Sequence, residues 1–301
     1  MPRGFSFKLF FAFFLLHVRA MFACSRRLFS AASVQPLLWF GRRGAFAVPH
    51  PSKAKNGGED AFLVHTSGIG VADGVGGYAR IGVDPAIFTR NIMRFTRQAL
   101  EKDQNRGTIS ALEALNYGFA ETQKRGQPGG CPVSLVTLVD GRFASVLNLG
   151  DCGTICLRSS KLFFATEAQQ HRFNCPYQLP EDPPSAGDRT TLEVSEGDVF
   201  LCASDGLLDN VEMSDILRRL EDVEREGCQR VAETLVEEAC KNGADEKFDS
   251  PFAKNARAMG YRYTGGKQDD VTVVVAQLTR LDVEPNACPG DIAEFLNMPA
   301  E

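Results

Sequence analysis

Residues 69–77 read IGVADGVGG and place an aspartate and a glycine-rich turn directly after a short apolar run. The run Ile69–Ala72 has the length and composition of a buried strand. Asp73 would then lie where that strand ends, and three of the next four residues are glycine. A single carboxylate in such a place is usually a turn or cap residue. Its meaning therefore depends on what the other strand ends carry.

Three further acidic clusters occur along the chain, and two of them also adjoin an apolar run. They read GED at 58–60, SDGLLDN at 204–210 and GKQDDVT at 266–272, with the apolar runs at 199–203 and 271–275. Carboxylates that converge at strand ends repel one another unless cations lie between them. Oxygen ligands without histidine or cysteine favour hard ions such as Mg²⁺ or Mn²⁺. The pattern therefore predicts a two-metal hydrolytic site.

Turn signals divide the middle of the chain into short strands. Asp140-Gly141 separates 133–139 from 143–149 and is a strong two-residue hairpin signal. Ser159-Ser160 is a weaker signal of the same kind. Glu196-Gly197-Asp198 separates two further strands, at 191–194 and 199–203, and predicts a third hairpin.

Four segments carry apolar residues at a helical period. They are 85–100, 109–123, 213–220 and 228–241. The first begins at Asp84-Pro85, a cap residue followed by proline at the first helical position. Hairpin strands around paired helices predict an α+β layered sandwich, with sheets inside and helices outside.

The charge balance is uneven along the 301 residues. The chain has 44% hydrophobic residues, 24% charged residues and a net charge of −5, as expected for one large globular domain with a short appendage. No Asp or Glu precedes Glu59, whereas that stretch holds nine Lys or Arg. Its removal leaves 24 of the 33 basic residues against 38 acidic ones, a net charge of −14. The strong negative charge of the chain from Glu59 onward disfavours binding to nucleic acid or to anionic lipid.

The chain is predicted to have three parts. These are a targeting presequence at 1–50, a catalytic domain at 51–278 and a C-terminal tail at 279–301. In the first part the segment SRRLFS at 25–30 is typical of an Arg-rich transit peptide. It predicts import into the mitochondrial matrix and processing somewhere between Arg27 and Lys53.

Two other addresses remain open for the presequence. The apolar run at 9–16 fits the core of a secretory signal, and a bipartite signal to a plastid-type organelle has a similar composition. Eight residues are too few to span a bilayer, which takes about 20, so no stable membrane insertion is expected.

Five short elements follow one another in a fixed order. They are Glu59-Asp60, DGVGG at 73–77, Gly150-Asp151, DGLLD at 205–209 and Asp269-Asp270. Together they resemble the metal-dependent protein phosphatase 2C family, over essentially all of Glu59–Leu278. One such element would be weak evidence, whereas five in the family's order are specific. The resemblance implies a four-layer α-β-β-α sandwich, with two antiparallel sheets flanked by helices.

Other segments resemble a narrower group within that family. They are GVDP at 82–85, QQHRFN at 169–174, PYQL at 176–179, SPFA at 250–253 and GGK at 265–267. They look like the short mitochondrial branch that is named for its T-cell-activation phosphatase homologue. This resemblance favours a mitochondrial address independently of the presequence.

The resemblance implies a centre for two Mg²⁺ or Mn²⁺ ions. Asp73 would bridge both ions, and the Gly74 carbonyl would bind one of them. Asp205 and Asp269 would complete the shell of the second ion. The ions would then acidify a water that attacks phosphorus in line.

Residues around these ligands would support the centre. Glu59 and Asp60 would hold water in an outer shell that orients the ligands. Asp151 matches the position that joins Asp205 at a weaker third metal site. Asp270 stands where the family usually has asparagine, and would either add charge or brace its loop. Asp209 is expected to cap a helix or support the site.

Two positions depart from the family pattern. Val75 stands where the family usually has a histidine proposed as general acid. The proton for the leaving group would then come from a metal-bound water or from another residue, of which His171 is one candidate beside its expected structural role. The family's arginine for the substrate phosphate has no counterpart here. Lys55 and Lys53 are the available cations, and a lysine does not grip phosphate bidentately.

The function implied is a Mg²⁺- or Mn²⁺-dependent protein serine/threonine phosphatase that acts, as a monomer, on phosphoproteins. One alternative is a catalytically weak pseudophosphatase that binds phosphoproteins, which Val75 keeps open. Another is a metal-dependent phosphatase of small molecules. A deep, basic, enclosed pocket would favour the small-molecule reading, and an open acidic cleft would oppose it.

Overall fold

Two antiparallel sheets of five strands each lie at the centre of the protein, whose computed structural model describes residues 37–103 and 107–282. The first sheet contains β1 (Leu38–Val48), β6 (Gly153–Arg158), β7 (Lys161–Ala165), β11 (Val199–Ala203) and β12 (Val271–Arg280). The second contains β2 (Ala61–His65), β3 (Gly68–Ala72), β4 (Val133–Val139), β5 (Phe143–Leu149) and β10 (Asp188–Glu193). A small separate hairpin consists of β8 (Gln170–Arg172) and β9 (Cys175–Pro176). The strand orders of the two large sheets are β1-β12-β11-β6-β7 and β10-β5-β4-β3-β2.

Helices cover the outer face of each sheet. On the second sheet these are α1 (Pro85–Lys102) and α2 (Ala111–Lys124). On the first sheet they include α4 (Met213–Glu221) and α6 (Cys228–Gly243). Shorter helices are α3 (Asp205–Leu208), α5 (Val223–Glu226) and α7 (Pro251–Ala258), with 3-10 turns at Pro51–Asn56, Tyr78–Ile81 and Pro184–Ala186.

Buried apolar side chains join the four layers. The central core lies between the two sheets and includes Phe40 and Phe200 from the first sheet and Val136 from the second. One outer core joins the first sheet to α6, and the other joins the second sheet to α1. Strands β3 and β11 are buried along their whole length because both of their faces are covered. The predicted α+β four-layer sandwich is confirmed.

Local signals in the sequence fix several turns and helix starts. Asp84 accepts a hydrogen bond from the Ala86 amide at 2.9 Å, so α1 begins at the predicted cap. Asp140 and Gly141 have φ angles of 53° and 59°, the left-handed pair that a tight hairpin requires. Ser159 and Ser160, the weaker signal, adopt the same conformation between β6 and β7.

The third predicted hairpin is wrong. Strand β10 pairs with β5 in the second sheet, whereas β11 pairs with β6 and β12 in the first. The link between β10 and β11 therefore crosses from one sheet to the other. Asp198 is buried in that link and accepts hydrogen bonds from Arg158 at 2.7 and 2.8 Å. A turn signal identifies the change of direction but does not identify the partner strand.

The predicted start of the folded domain, at residue 51, is also wrong. Strand β1 falls inside the segment predicted as presequence, and it pairs antiparallel with β12 from Leu38↔Arg280 to Val48↔Val271. Its basic residues suggested a transit peptide, but Arg42 is paired with Glu224 at 2.8 Å. At the other end β12 continues to Arg280, two residues into the predicted tail.

Residues 1–36 and 283–301 lie outside the described part of the chain, so the transit-peptide segment and most of the tail are untested. Between residues 37 and 282, the described helices include none that is both long and apolar enough to cross a membrane.

Substitution of Phe40 by alanine tests whether β1 belongs to the folded domain. Phe40 is fully buried and lies edge-on to Phe200, with ring centroids 5.7 Å apart. We expect Phe40→Ala to lower the free energy of unfolding by about 3–5 kcal/mol, because it leaves a cavity between the sheets. Urea denaturation measures this change. Leu162→Ala, at a 47%-exposed position on β7, is the control and should change it by less than about 1 kcal/mol. Equal effects of the two substitutions would contradict the assignment of β1.

Candidate metal centre

Acidic side chains from both sheets meet at one end of the sandwich. Asp73 directly follows β3, and Asp151 lies two residues after β5. Asp205 comes just after β11. The ends of β3 and β5 both pair with the start of β4, which brings them to the same end of the second sheet. One carboxylate oxygen from each of these three aspartates lies within 4.8 Å of the other two.

The remaining acidic elements flank this group. Glu59 and Asp60 directly precede β2, whose first residue pairs with the last residue of β3. Asp269 and Asp270 directly precede β12, whose start lies beside the end of β11. The two sheets therefore deliver all four acidic clusters of the sequence to one place. Whether each residue acts as a ligand stays a prediction.

Burial and mutual repulsion disfavour the charged form of these carboxylates. Burial raises the pKa of Asp73 well above its usual range, and the nearby Asp205 raises it further. For the same two reasons the pKa of Asp151 rises to about 8. Burial and the charge of Asp270 raise the pKa of Asp60 to about 7. Cations among these groups would restore their ionised forms.

Some of these oxygens also lack hydrogen-bond partners among the described residues. One buried carboxylate oxygen each of Asp151 and Asp205 accepts no hydrogen bond. Buried polar atoms are nearly always satisfied in folded proteins. Oxygen-only donors, left unsatisfied and close together, fit hard divalent ions such as Mg²⁺ or Mn²⁺.

Glycines permit the close approach of the loops that carry these acids. A Cβ on Gly74 would lie 2.4 Å from the carbonyl oxygen of Glu59, and one on Gly206 would lie 2.0 Å from that of Asp270. Any side chain at either place would push two acidic loops apart. The predicted use of the Gly74 carbonyl as a ligand is compatible with this tight turn.

The two lysines predicted to meet substrate phosphate have different environments. Lys55 is exposed on the 3-10 turn Pro51–Asn56. Lys53 is turned into the acidic group, where its ammonium lies 2.6 Å from Glu59, 3.1 Å from Asp270 and 3.6 Å from Asp269. Burial alone would lower the pKa of Lys53, but these carboxylates outweigh it and raise the pKa. A substrate phosphate would have to compete with three carboxylates for this ammonium.

Asp270 braces its loop. Its carboxylate accepts hydrogen bonds from the backbone amides of His50 at 2.6 Å and Glu59 at 2.8 Å, and from the Lys53 ammonium. These bonds tie the end of β1 and the start of β2 to β12. Its contacts support the bracing role, and its effect on the pKa of Asp60 is consistent with added charge as well.

Lys267 is the residue that sequence reasoning missed. Its ammonium donates to Asp205 and, at 2.7 Å, to Asp209. Asp209 does not cap the start of a helix; it ends α3 and holds this lysine. Burial raises the pKa of Asp209 to about 6 despite the lysine, which lowers it. The only available signal was the segment GGK at 265–267, which carried a family resemblance but no role.

Val75, which stands at the family's general-acid position, and His171, the candidate replacement, both lie in defined contacts. The amide of Val75 donates to the Gly130 carbonyl at 3.0 Å, so the backbone of the turn is fixed whatever its side chain. His171 lies on β8, where its Nε2 is 2.9 Å from Asp182 and its ring stacks on Tyr177 at 4.2 Å. These contacts are those expected of a histidine with a structural role.

Comparisons with known proteins identify relatives of this chain. The chain is 36% identical over 244 residues to the probable protein phosphatase 2C 80 of Arabidopsis thaliana, covering 78% of this chain but only 58% of that protein. It is 35% identical over 256 residues to the probable protein phosphatase 2C 26 of the same plant, covering 78% and 83%. No family model matches the chain.

Among solved structures, the fold is similar to that of the photosystem II phosphatase PBCP. The TM-score is 0.71 at 32% identity, and the match covers 79% of this chain and 99% of that one. With these relatives and the same two-sheet fold, the chain belongs to the protein phosphatase 2C family.

The raised pKa of Asp60 predicts how stability depends on pH without ions. Its pKa of about 7 lies above the ordinary value of 3.8, so the folded chain retains a proton that the unfolded chain has lost. Its contribution to stability therefore falls as pH rises from about 4 to about 7. We expect Asp60→Asn to gain stability over the wild type as pH increases, measured by urea denaturation in EDTA at pH 5, 6.5 and 8. Asp188→Asn, at an exposed site on β10, is the control. An advantage of Asp60→Asn that shrinks toward pH 8 would contradict the prediction.

Proposed function

We propose that the protein is a Mg²⁺- or Mn²⁺-dependent protein serine/threonine phosphatase. The serine/threonine phosphatase PstP, a solved structure of similar fold, holds two manganese ions. The observation that supports the proposal most directly is the convergence of Asp73, Asp151 and Asp205 within 4.8 Å, with buried oxygens unsatisfied. This group could hold one ion; we propose two ions, as the family resemblance implies, with Asp269 as a further ligand and Asp151 as a ligand of a weaker third ion.

Different residues of the chain would bind the ions, orient water and support the loops of the site. Asp73 and Asp205 would hold the ions, which when bound would acidify water and offset charge on the phosphoryl group. Glu59 is held by Lys53 at 2.6 Å and would orient water from the outer shell. Asp270 fixes the loop that carries Asp269 through its backbone hydrogen bonds.

The cavity beside the centre favours a phosphoprotein substrate over a small metabolite. It has a volume of about 630 Å³, and Asp151 and Asp209 are among the residues that line it. Its charged lining consists of those two aspartates and Glu212, and its apolar lining includes Phe173 and Phe252. Among the residues that the structure describes, no lysine, arginine or histidine lines it. A phosphorylated metabolite needs cationic groups around it, whereas apolar side chains of a protein substrate fit this wall.

Phosphate release from a phosphothreonine peptide tests the proposal. The full chain should release phosphate with Mn²⁺ and not with EDTA. We expect Asp73→Asn and Asp205→Asn to lower the rate by more than about 100-fold, since loss of a mere outer-shell partner typically lowers it 10–100-fold. Asp249→Asn, which removes an exposed carboxylate paired with Arg257, is the control and should retain full activity.

Folded wild-type protein that binds Mn²⁺ but releases no phosphate would contradict the proposal. The pseudophosphatase would then account for the chain, with Val75 as the feature that favours it. Val75→His would be the next variant, because it restores the family's usual residue in a turn whose backbone is already fixed by Gly130.

We further propose that residues 1–36 direct the protein to the mitochondrial matrix, as a member of the short mitochondrial branch. The acid-free, Arg-rich composition of this segment supports the proposal. Because β1 begins at Leu38, we place processing between Arg27 and Leu38. The similarity to a phosphatase named for photosystem II supports a plastid as the alternative.

A fluorescent protein fused behind residues 1–37 tests the address in cells that contain mitochondria and plastids. We expect mitochondrial fluorescence, and its loss when Arg26 and Arg27 are replaced by glutamate, because transit peptides depend on basic charge. Accumulation in plastids or in the secretory pathway would refute the mitochondrial assignment. An unprocessed N-terminus on the full chain from cells would refute the cleavage.

A further inference from the structure

The backbone around Lys267 is fixed at the edge of the candidate metal centre. Its amide donates to the Asn210 side chain at 2.9 Å, and its carbonyl accepts from the same side chain at 2.7 Å. The preceding Gly266 packs so closely that a Cβ would lie 2.0 Å from the Asn242 carbonyl oxygen. Asn210 directly follows Asp209, so these bonds hold Lys267 beside the loop of Asp205 and Asp209.

The side chain of Lys267 ends among carboxylates. Its ammonium donates to Asp205 and to Asp209 and lies 3.9 Å from Asp269. It also lies 5.1 Å from the centroid of the Phe252 ring, and only 16% of the side chain is exposed. A lysine ammonium is ordinarily protonated at neutral pH, so it places a positive charge among these carboxylates.

Asp205 is divided between two kinds of partner. Its Oδ2 accepts from Lys267, whereas its Oδ1 is buried and has no partner among the described residues. The three-aspartate group with Asp73 and Asp151 lies within reach of a single ion. One oxygen of Asp205 thus remains for a divalent ion, while the other is neutralised from within the chain.

We propose that Lys267 acts as a built-in cation of the metal centre. Its ammonium occupies the space between Asp205 and Asp209 and lowers the affinity of the centre for divalent ions. This inference rests on the proposed metal centre. Lys267 is a positioning residue under it, because it acts on the ions through Asp205. Its ammonium takes the place in which Asp205 and Asp209 would otherwise attract a further cation.

Charge determines the sign of the expected effects. With Lys267 and Asp209 both present, their unit charges cancel beside the centre. Loss of the lysine leaves an extra negative charge near the ions, and loss of the aspartate leaves an extra positive one. A unit charge this close to a divalent ion, in a partly buried site, changes binding by roughly tenfold or more. An ion pair with a purely structural role predicts no such opposite signs.

Mn²⁺ titration calorimetry on the full chain tests the inference. The proteins are wild type, Lys267→Met, Asp209→Asn and the double variant. We expect the Kd for Mn²⁺ to fall about tenfold in Lys267→Met, to rise about tenfold in Asp209→Asn, and to return near the wild-type value in the double variant. Lys254→Met is the charge-matched control. It removes an exposed ammonium paired with Glu212 at 2.5 Å, and its Kd should equal that of the wild type.

The outcomes separate this inference from the proposed function. Wild-type protein that binds no Mn²⁺ would overturn the metal centre itself, and with it the inference. Wild-type binding with unchanged or weaker binding in Lys267→Met would overturn the built-in cation alone. Circular dichroism checks each variant for folding. If Lys267→Met does not fold, weaker binding by Asp209→Asn and recovery in the double variant still decide the question.

Discussion

Repulsion among buried carboxylates is the constraint on which the rest of this structure depends. In the described part of the chain, burial chiefly, and neighbouring carboxylates in addition, raise the pKa values of Asp60, Asp73 and Asp151 above their usual range. Two lysines add positive charge to the same acidic end of the sandwich. Lys53 binds the Glu59 and Asp270 side, and Lys267 binds the Asp205 and Asp209 side.

The fold remains stable despite this repulsion because the acidic groups lie at the ends of strands, whereas the packing that stabilises those strands lies between the sheets. The central core between the sheets is apolar and draws its residues from strands of both sheets. Each turn is then held by local bonds, such as those that Asp270 accepts from the His50 and Glu59 amides. Packing of the sheets thus stabilises the chain, and the strained end is free to bind ions. Ion binding to the folded state alone would in turn add to stability.

The sequence was sufficient for features whose signals are local. The cap at Asp84 and the turn at Asp140-Gly141 depend on neighbouring residues, and the DGVGG turn marks a strand end by itself. Features that depend on distant partners were missed or misread. Strand β1 has the basic composition of a presequence, and the sequence does not reveal that Arg42 pairs with Glu224, 182 residues away. The segment 191–203 looks like a hairpin because nothing local reveals that β10 belongs to the other sheet.

Lys267 shows most clearly why the site was only partly predictable. Its partner Asp205 is 62 residues away, and a lysine in a glycine-rich loop is ordinarily a solvated charge. Composition gives the number of acids that need compensation but not which bases provide it, since that depends on the pairing of strands. A centre with two built-in ammonium groups needs less charge from ions than its acidic sequence suggests. Ion affinity in such a centre is therefore set as much by the placement of its lysines as by its ligands.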